Sequence, residues 1–167
     1  MKSTDRPEPF GANFYDENAL ICNIGAELRE VLVPELAKLD AAGKTVVITD
    51  SYLFSSYGEE TYRRDVIGLL CGMHASAVIV AAGSDPQDTE MENRLWEALR
   101  EQRCTYVRRR GRIHDRYWLC PESGKALQVG TSLNGVGRKV FGIQLLPEED
   151  VQTLIDILRT QEILLHG

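Results

Sequence analysis

Two short segments carry residue types suited to phosphate chemistry. His114 and Arg116 lie two residues apart in "RIHDRYWLC", and Ser132 and Asn134 follow in "GTSLNG". A neutral imidazole can attack phosphorus or accept a proton, a guanidinium binds two phosphate oxygens, and hydroxyl and amide groups add neutral hydrogen bonds. Lys139 adds a second cation close by in the sequence. Together these residues predict a site for a phosphate or phosphodiester group.

A basic segment precedes this site. Between residues 103 and 116 there are six arginines and one acid, a net of +5, whereas the whole chain carries −6 and the remainder therefore −11. We predict that four of these arginines bind a polyanion: Arg108, Arg109, Arg110 and Arg112. The ligand is nucleic acid or an anionic phospholipid headgroup, since both present phosphate and no aromatic residues interleave with the arginines to favour stacked bases.

Two acids near these segments are harder to assign. Asp50 ends a predicted strand, where α/β sheets present their sites, although Asp also starts turns there. For Asp115, an ion pair with a neighbouring arginine is favoured over a catalytic role.

The residues of the predicted site also have a non-functional interpretation. A single histidine in a strand is often structural, and Ser-x-Asn beside glycines is often only a turn. The alternative to a functional site is therefore a vestigial pocket in a docking or sensor module.

The elements that position these residues follow from hydrophobic periodicity. Short β-branched runs between turn residues predict buried strands, and apolar residues at helical spacing predict helices between them. The order strand, helix, strand, helix, strand indicates an α/β fold with a mixed, largely parallel sheet flanked by helices. Residues 113–130 predict a β-hairpin that carries the site, with His114 and Arg116 on one face of its first strand. Pro34 should kink or restart the first helix.

The composition predicts one domain over residues 13–167, after a flexible leader over residues 1–12 that contains Pro and Gly among charges. The four cysteines show no metal-ligand spacing, which indicates reduced thiols, and no metal or other cofactor is expected. Neither a signal peptide nor an apolar run of membrane-spanning length is present, so we expect a cytoplasmic protein.

The order of these motifs resembles the phospholipase D superfamily, in which His-x-Lys is followed by Asp and then by Gly-Ser-x-Asn. The likeness extends from "VVITD" to the last helix. A closer resemblance is to the phospholipase-D-like domain at the C-terminus of MIT-domain proteins, and to its bacterial relatives, which share an Asp-x-Tyr segment like "DSYLF" and a triplet like "HDR". This resemblance implies a phospholipase-D-like half with one copy of the motif.

The resemblance implies a metal-independent phosphodiesterase in which His114 forms a phosphohistidine and Arg116, Ser132 and Asn134 hold the phosphate. A second histidine is needed as general acid, so catalysis would require a homodimer that brings two His114 side chains together, or a larger assembly. Two departures favour binding over turnover: Arg116 stands where lysine is expected, and Pro121 stands where aspartate is expected. Whether the domain is an enzyme or a non-catalytic module is left open.

Overall fold

A computed structural model describes residues 19–54, 59–83 and 88–165 of the chain. The predicted leader at residues 1–12 lies outside these ranges. The strands are β1 (Ala19–Cys22), β2 (Thr45–Thr49), β3 (Ala77–Ala82), β4 (Thr105–Arg110), β5 (Arg116–Cys120), β6 (Lys125–Val129) and β7 (Phe141–Leu145). The helices are α1 (Leu28–Ala37), α2 (Glu60–Gly72), α3 (Thr89–Glu101) and α4 (Glu148–Thr160). Each of these helices is too short or too polar to cross a membrane.

All seven strands form one mixed sheet in the order β1-β7-β6-β5-β2-β3-β4. The predicted α/β class with a mixed sheet and flanking helices is confirmed. Only β2–β3 and β3–β4 pair in parallel, and the other four pairs are antiparallel, so the parallel share is smaller than the sequence indicated. The reason is the hairpin: β5 and β6 are joined by a short turn, which forces them antiparallel, and β7 and β1 add to the same side.

The helices divide unequally between the two faces of the sheet. Helices α1, α2 and α3 contribute buried residues to one apolar cluster, whereas α4 contributes to a second cluster on the opposite face. Successive residues of β5 alternate between the two: Trp118 packs in the first cluster and Leu119 in the second. Side chains at even positions of β5 therefore point toward α1–α3, and those at odd positions point toward α4.

Local interactions fix the ends of the helices. The Asp88 side chain caps α3 by accepting a hydrogen bond from the Met91 backbone N–H at 3.1 Å, and it also binds Arg63 Nε at 2.6 Å. One carboxylate thus holds the start of α3 against α2.

Helix α1 continues through Pro34 to Ala37 and does not restart there, contrary to one of the two outcomes predicted for this proline.

The hairpin forms as predicted, but its first strand is shorter at the start. Strand β5 begins at Arg116, so His114 precedes the strand and does not share a strand face with Arg116. The backbone pairing of β5 ends at this point. Strand β2 pairs with it only as far as Thr49 opposite Tyr117, and β6 only as far as Val129 opposite Arg116. The Thr49 hydroxyl instead donates to the Asp115 carbonyl at 3.0 Å, just before β5 begins.

Candidate functional site

A polar depression with a volume of about 430 Å³ lies where β2 and β6 end and β5 begins. It is built from three segments: the turn after β2, the first residue of β5, and the loop between β6 and β7. No acid is among its lining residues, which are Tyr52, Arg116, Thr131, Ser132, Asn134, Gly135, Arg138 and Lys139. All four residues of the predicted phosphate clamp line this one depression: Arg116, Ser132, Asn134 and Lys139.

Strand pairing brings Arg116 to the depression. The β2–β5 register places Thr49 opposite Tyr117, so the next residues, Asp50 and Arg116, are also neighbours. Arg116 Nε lies 3.9 Å from Asp50 Oδ1, and the arginine side chain is 26% exposed. The guanidinium thus lies beside a buried carboxylate on one side and is open to the depression on the other.

Asp50 connects the three segments. Its Oδ1 accepts from the Tyr52 backbone N–H at 2.9 Å, and its Oδ2 accepts from the Ser132 hydroxyl at 3.0 Å. The Leu133 backbone N–H and Arg116 add to these contacts. Burial raises the pKa of Asp50 above its ordinary value, and the hydrogen bonds and Arg116 oppose part of that shift. Asp50 is 2% exposed, so it orients the site without reaching a ligand.

The Ser132 hydroxyl has a defined task. It has one proton, and this proton is donated to Asp50, so the same group does not donate to a phosphate while Asp50 is ionised. Ser132 is also 4% exposed, which removes it as an accessible nucleophile. Within the clamp predicted from the sequence, Ser132 therefore positions Asp50 and the loop, and Arg116, Asn134 and Lys139 face the depression.

The loop from β6 to β7 presents the remaining groups through a tight turn. A 3₁₀ turn at Leu133–Gly135 is followed by Gly137 with φ of +78°, and the Gly137 carbonyl accepts from the Gly25 N–H at 2.8 Å. Gly137 allows close packing of the loop, since a Cβ at this position would lie 2.6 Å from the Ala26 carbonyl oxygen. This turn leaves Arg138 and Lys139 exposed at the rim.

The charge of the depression is strongly positive. Arg116, Arg138 and Lys139 contribute three cations to the lining, and the buried carboxylate of Asp50 lies behind it. Arg138 approaches Glu59 at 3.8 Å, but both side chains are mostly exposed, so this ion pair is weak. Arg116 Nε is buried and has no hydrogen-bond partner among the described residues. The arrangement therefore offers more donors than acceptors, which suits an anion.

The predicted nucleophile lies elsewhere. His114 is exposed and lines a second depression of about 460 Å³ against α4, together with Asp115, Tyr117 and Asp150. The two depressions share no lining residue. Tyr117 points toward α4, whereas Arg116 follows the even positions of β5 toward α1–α3. Within one chain, the structure therefore separates the histidine from the phosphate clamp.

The predicted polyanion patch is divided. Strand β4 lies at the edge of the sheet, and its side chains alternate between the two faces as in any β-strand. Arg108 Nη1 binds Glu92 Oε2 at 2.7 Å and its guanidinium lies 5.4 Å from the Phe54 ring centre, so this arginine is already engaged. Arg110 and Arg112 are exposed and Arg109 is half-buried. Arg112 lines the depression that holds His114.

Three contributors to the cationic depression were missed or left unassigned by sequence analysis. Thr131 carries no motif signal, Tyr52 was indicated only as the tyrosine of the Asp-x-Tyr segment, and Arg138 was given no role. The role of Asp50 depends on its pairing with Arg116, which is 66 residues away in the chain. The Asp-x-Tyr segment was the one signal that pointed to this turn.

The sequence matches no model of a known protein family and no curated protein. The resemblance to phospholipase D therefore stays a prediction. Within the described residues no cluster of three or more His, Cys, Asp or Glu side chains is placed to hold a metal ion. The four cysteines are free thiols, as expected.

Proposed function

We propose that this protein binds the phosphate or phosphodiester group of a polyanion in the depression formed by Arg116, Asn134 and Lys139. The observation that carries the proposal is the convergence of three cations and neutral donors around one concave surface whose lining contains no acid. Nucleic acid and anionic phospholipid headgroups both present such a group. A cytoplasmic location is part of the proposal, and the free cysteines support it.

The pairing of Arg116 with Asp50 supports a preorganised anion site. A guanidinium that is largely buried beside a carboxylate loses less side-chain entropy when it binds a ligand than an exposed arginine does. The carboxylate is shielded from the depression because it is 2% exposed, so its repulsion of an anion is offset by the three cations in front of it. Exposed Arg138 and Lys139 then attract the ligand at the rim.

A phospholipase-D-like domain with a recognition role fits this geometry better than a complete hydrolase. The separation of His114 from the clamp favours the non-catalytic alternative, since a nucleophile must reach the phosphorus atom that the clamp holds. Hydrolysis through a phosphohistidine would need His114 from a second copy of the chain. The homodimer, or a larger assembly, that would supply it stays a prediction.

Binding can be tested with a fluorescent oligonucleotide and with phosphatidylserine vesicles at low salt. Arg116→Ala should raise Kd by about 10- to 150-fold, because a charge-assisted hydrogen bond contributes about 1.5–3 kcal/mol. Arg64→Ala is the matched control, since Arg64 is an exposed arginine on α2 that does not line the depression. Equal Kd values for the two variants, or no binding of either probe by the wild type, would refute the proposal.

Cleavage is tested separately by incubating a labelled oligonucleotide with the protein in EDTA. We expect intact strands for both the wild type and His114→Ala. Cleavage by the wild type that His114→Ala abolishes would establish the phosphohistidine route and, with it, a shared site between two chains.

A further inference from the structure

An aromatic ring stands at the edge of the cationic depression. Tyr52 lines the depression and is 50% exposed, whereas most large apolar side chains of the described residues are buried. Its backbone N–H donates to Asp50 Oδ1 at 2.9 Å, so the residue is anchored to the same carboxylate that holds Arg116 and Ser132. The ring is therefore a positioned part of the depression.

The ring has an accessible surface next to the phosphate-binding groups. The Arg116 guanidinium carbon lies 6.0 Å from the Tyr52 ring centre, at the outer limit of a cation–π contact, so the arginine does not cover the ring closely. A phosphate held by Arg116 would place its substituent beside this ring. An exposed aromatic side chain next to a cationic groove is the arrangement that stacks unpaired bases in single-strand-binding proteins.

We infer that the ligand of the depression is a phosphate that carries an unpaired nucleobase, with the phosphate at Arg116 and Lys139 and the base stacked on Tyr52. This inference rests on the proposed function and narrows its ligand class. A base in a duplex is already stacked and paired, so single-stranded nucleic acid or a free nucleotide is the source. A glycerophospholipid headgroup has no planar π-surface, and the ring adds little to its binding.

The test compares four probes: an oligothymidylate, an abasic strand of the same length, thymidine monophosphate, and phosphatidylserine vesicles. Wild-type protein should bind the oligothymidylate about 5- to 150-fold more tightly than the abasic strand, the range expected for one stacked base. Tyr52→Ala should remove that preference, so that the ratio of the two Kd values falls to about 1. Tyr52→Phe should keep it, because stacking needs the ring and not the hydroxyl.

Trp96→Ala is the matched control. Trp96 is 43% exposed and its ring lies 4.8 Å from the Arg100 guanidinium carbon, but it sits on α3 and does not line the depression. This variant should bind all probes as the wild type does. A loss of base preference in Trp96→Ala equal to that in Tyr52→Ala would overturn the assignment to Tyr52.

The remaining outcomes separate this inference from the proposed function. Thymidine monophosphate bound as tightly as the strand identifies a free nucleotide as the ligand, and much weaker binding identifies single-stranded nucleic acid; either result supports the inference. If oligothymidylate and abasic strand bind equally, or vesicles bind more tightly than either, while Arg116→Ala weakens binding, the base-stacking inference fails and phosphate binding stands. If no probe binds, both fail.

Discussion

Replacing Ser132 with alanine tests how the site is held together. The Ser132 hydroxyl donates to Asp50 Oδ2 at 3.0 Å, and the two residues are 4% and 2% exposed. The substitution removes one oxygen atom and leaves Asp50 without this donor. Because a hydrogen bond to a buried charged group contributes about 1.5–3 kcal/mol, Ser132→Ala should lower the free energy of unfolding by that amount at a pH where Asp50 is ionised.

The assay is thermal denaturation of the wild type and the variant. For a chain of 167 residues, a change of about 1 kcal/mol shifts Tm by about 2–4 °C, so we expect a decrease of about 3–12 °C. Thr160→Ala is the control, since the Thr160 hydroxyl makes only an exposed bond to the Asp156 carbonyl. A shift for Ser132→Ala no larger than that of the control would refute the structural role.

The pH dependence follows from the same bond. The Ser132 hydroxyl lowers the pKa of Asp50, so its removal lets that already raised pKa rise further. When folding raises the pKa of an acidic group, the free energy of unfolding of the protein falls as pH rises through the folded pKa. The destabilisation should therefore shrink at acid pH, where Asp50 is protonated.

The same variant also tests whether the hydroxyl contacts the ligand. If Ser132→Ala raises Kd for the oligonucleotide or the vesicles as much as Arg116→Ala does, the hydroxyl contacts the ligand directly.

Three further predictions concern stability, each measured by chemical denaturation. Burial raises the pKa of Asp50, so the free energy of unfolding of the wild type should fall as pH rises through that pKa. Asp50→Asn has no carboxyl group to ionise, so its stability relative to the wild type should improve as pH rises. The opposite trend would contradict this prediction. Glu92→Ala removes the partner of Arg108 and should cost about 1–2 kcal/mol, while exposed Glu97→Ala on the same helix should cost little. Gly137→Ala places a side chain at φ of +78° against a neighbouring carbonyl and should cost about 1–3 kcal/mol, so wild-type stability would contradict the turn.

Periodicity was sufficient for the elements with strong internal patterns. The buried strands β2 and β3 and the helices α2 and α3 were predicted because their apolar residues repeat at the spacing of their own structure. Strand β1 was not predicted, because four residues beside β7 gain their strand conformation from pairing and not from a pattern of their own. The parallel share of the sheet was overestimated for a similar reason: strand order is a property of the pairings.

The candidate site shows the same division. Residue types alone indicated that Arg116, Ser132, Asn134 and Lys139 suit a phosphate, and the structure places these residues around one depression. Their grouping with His114 depended on one extended strand. That strand begins three residues later than the hairpin pattern indicated, since β2 pairs with it only as far as Thr49.

The sequence by itself determined the α/β class, the hairpin and the residue types of the phosphate clamp, because hydrophobic spacing and side-chain chemistry are local properties of a chain. Only the tertiary structure decided that Asp50 stands behind Arg116, that the Ser132 proton is donated to Asp50, and that Tyr52 edges the depression. These relations depend on the register between strands distant in sequence. Register is set by the packing of the whole sheet, which no single segment encodes.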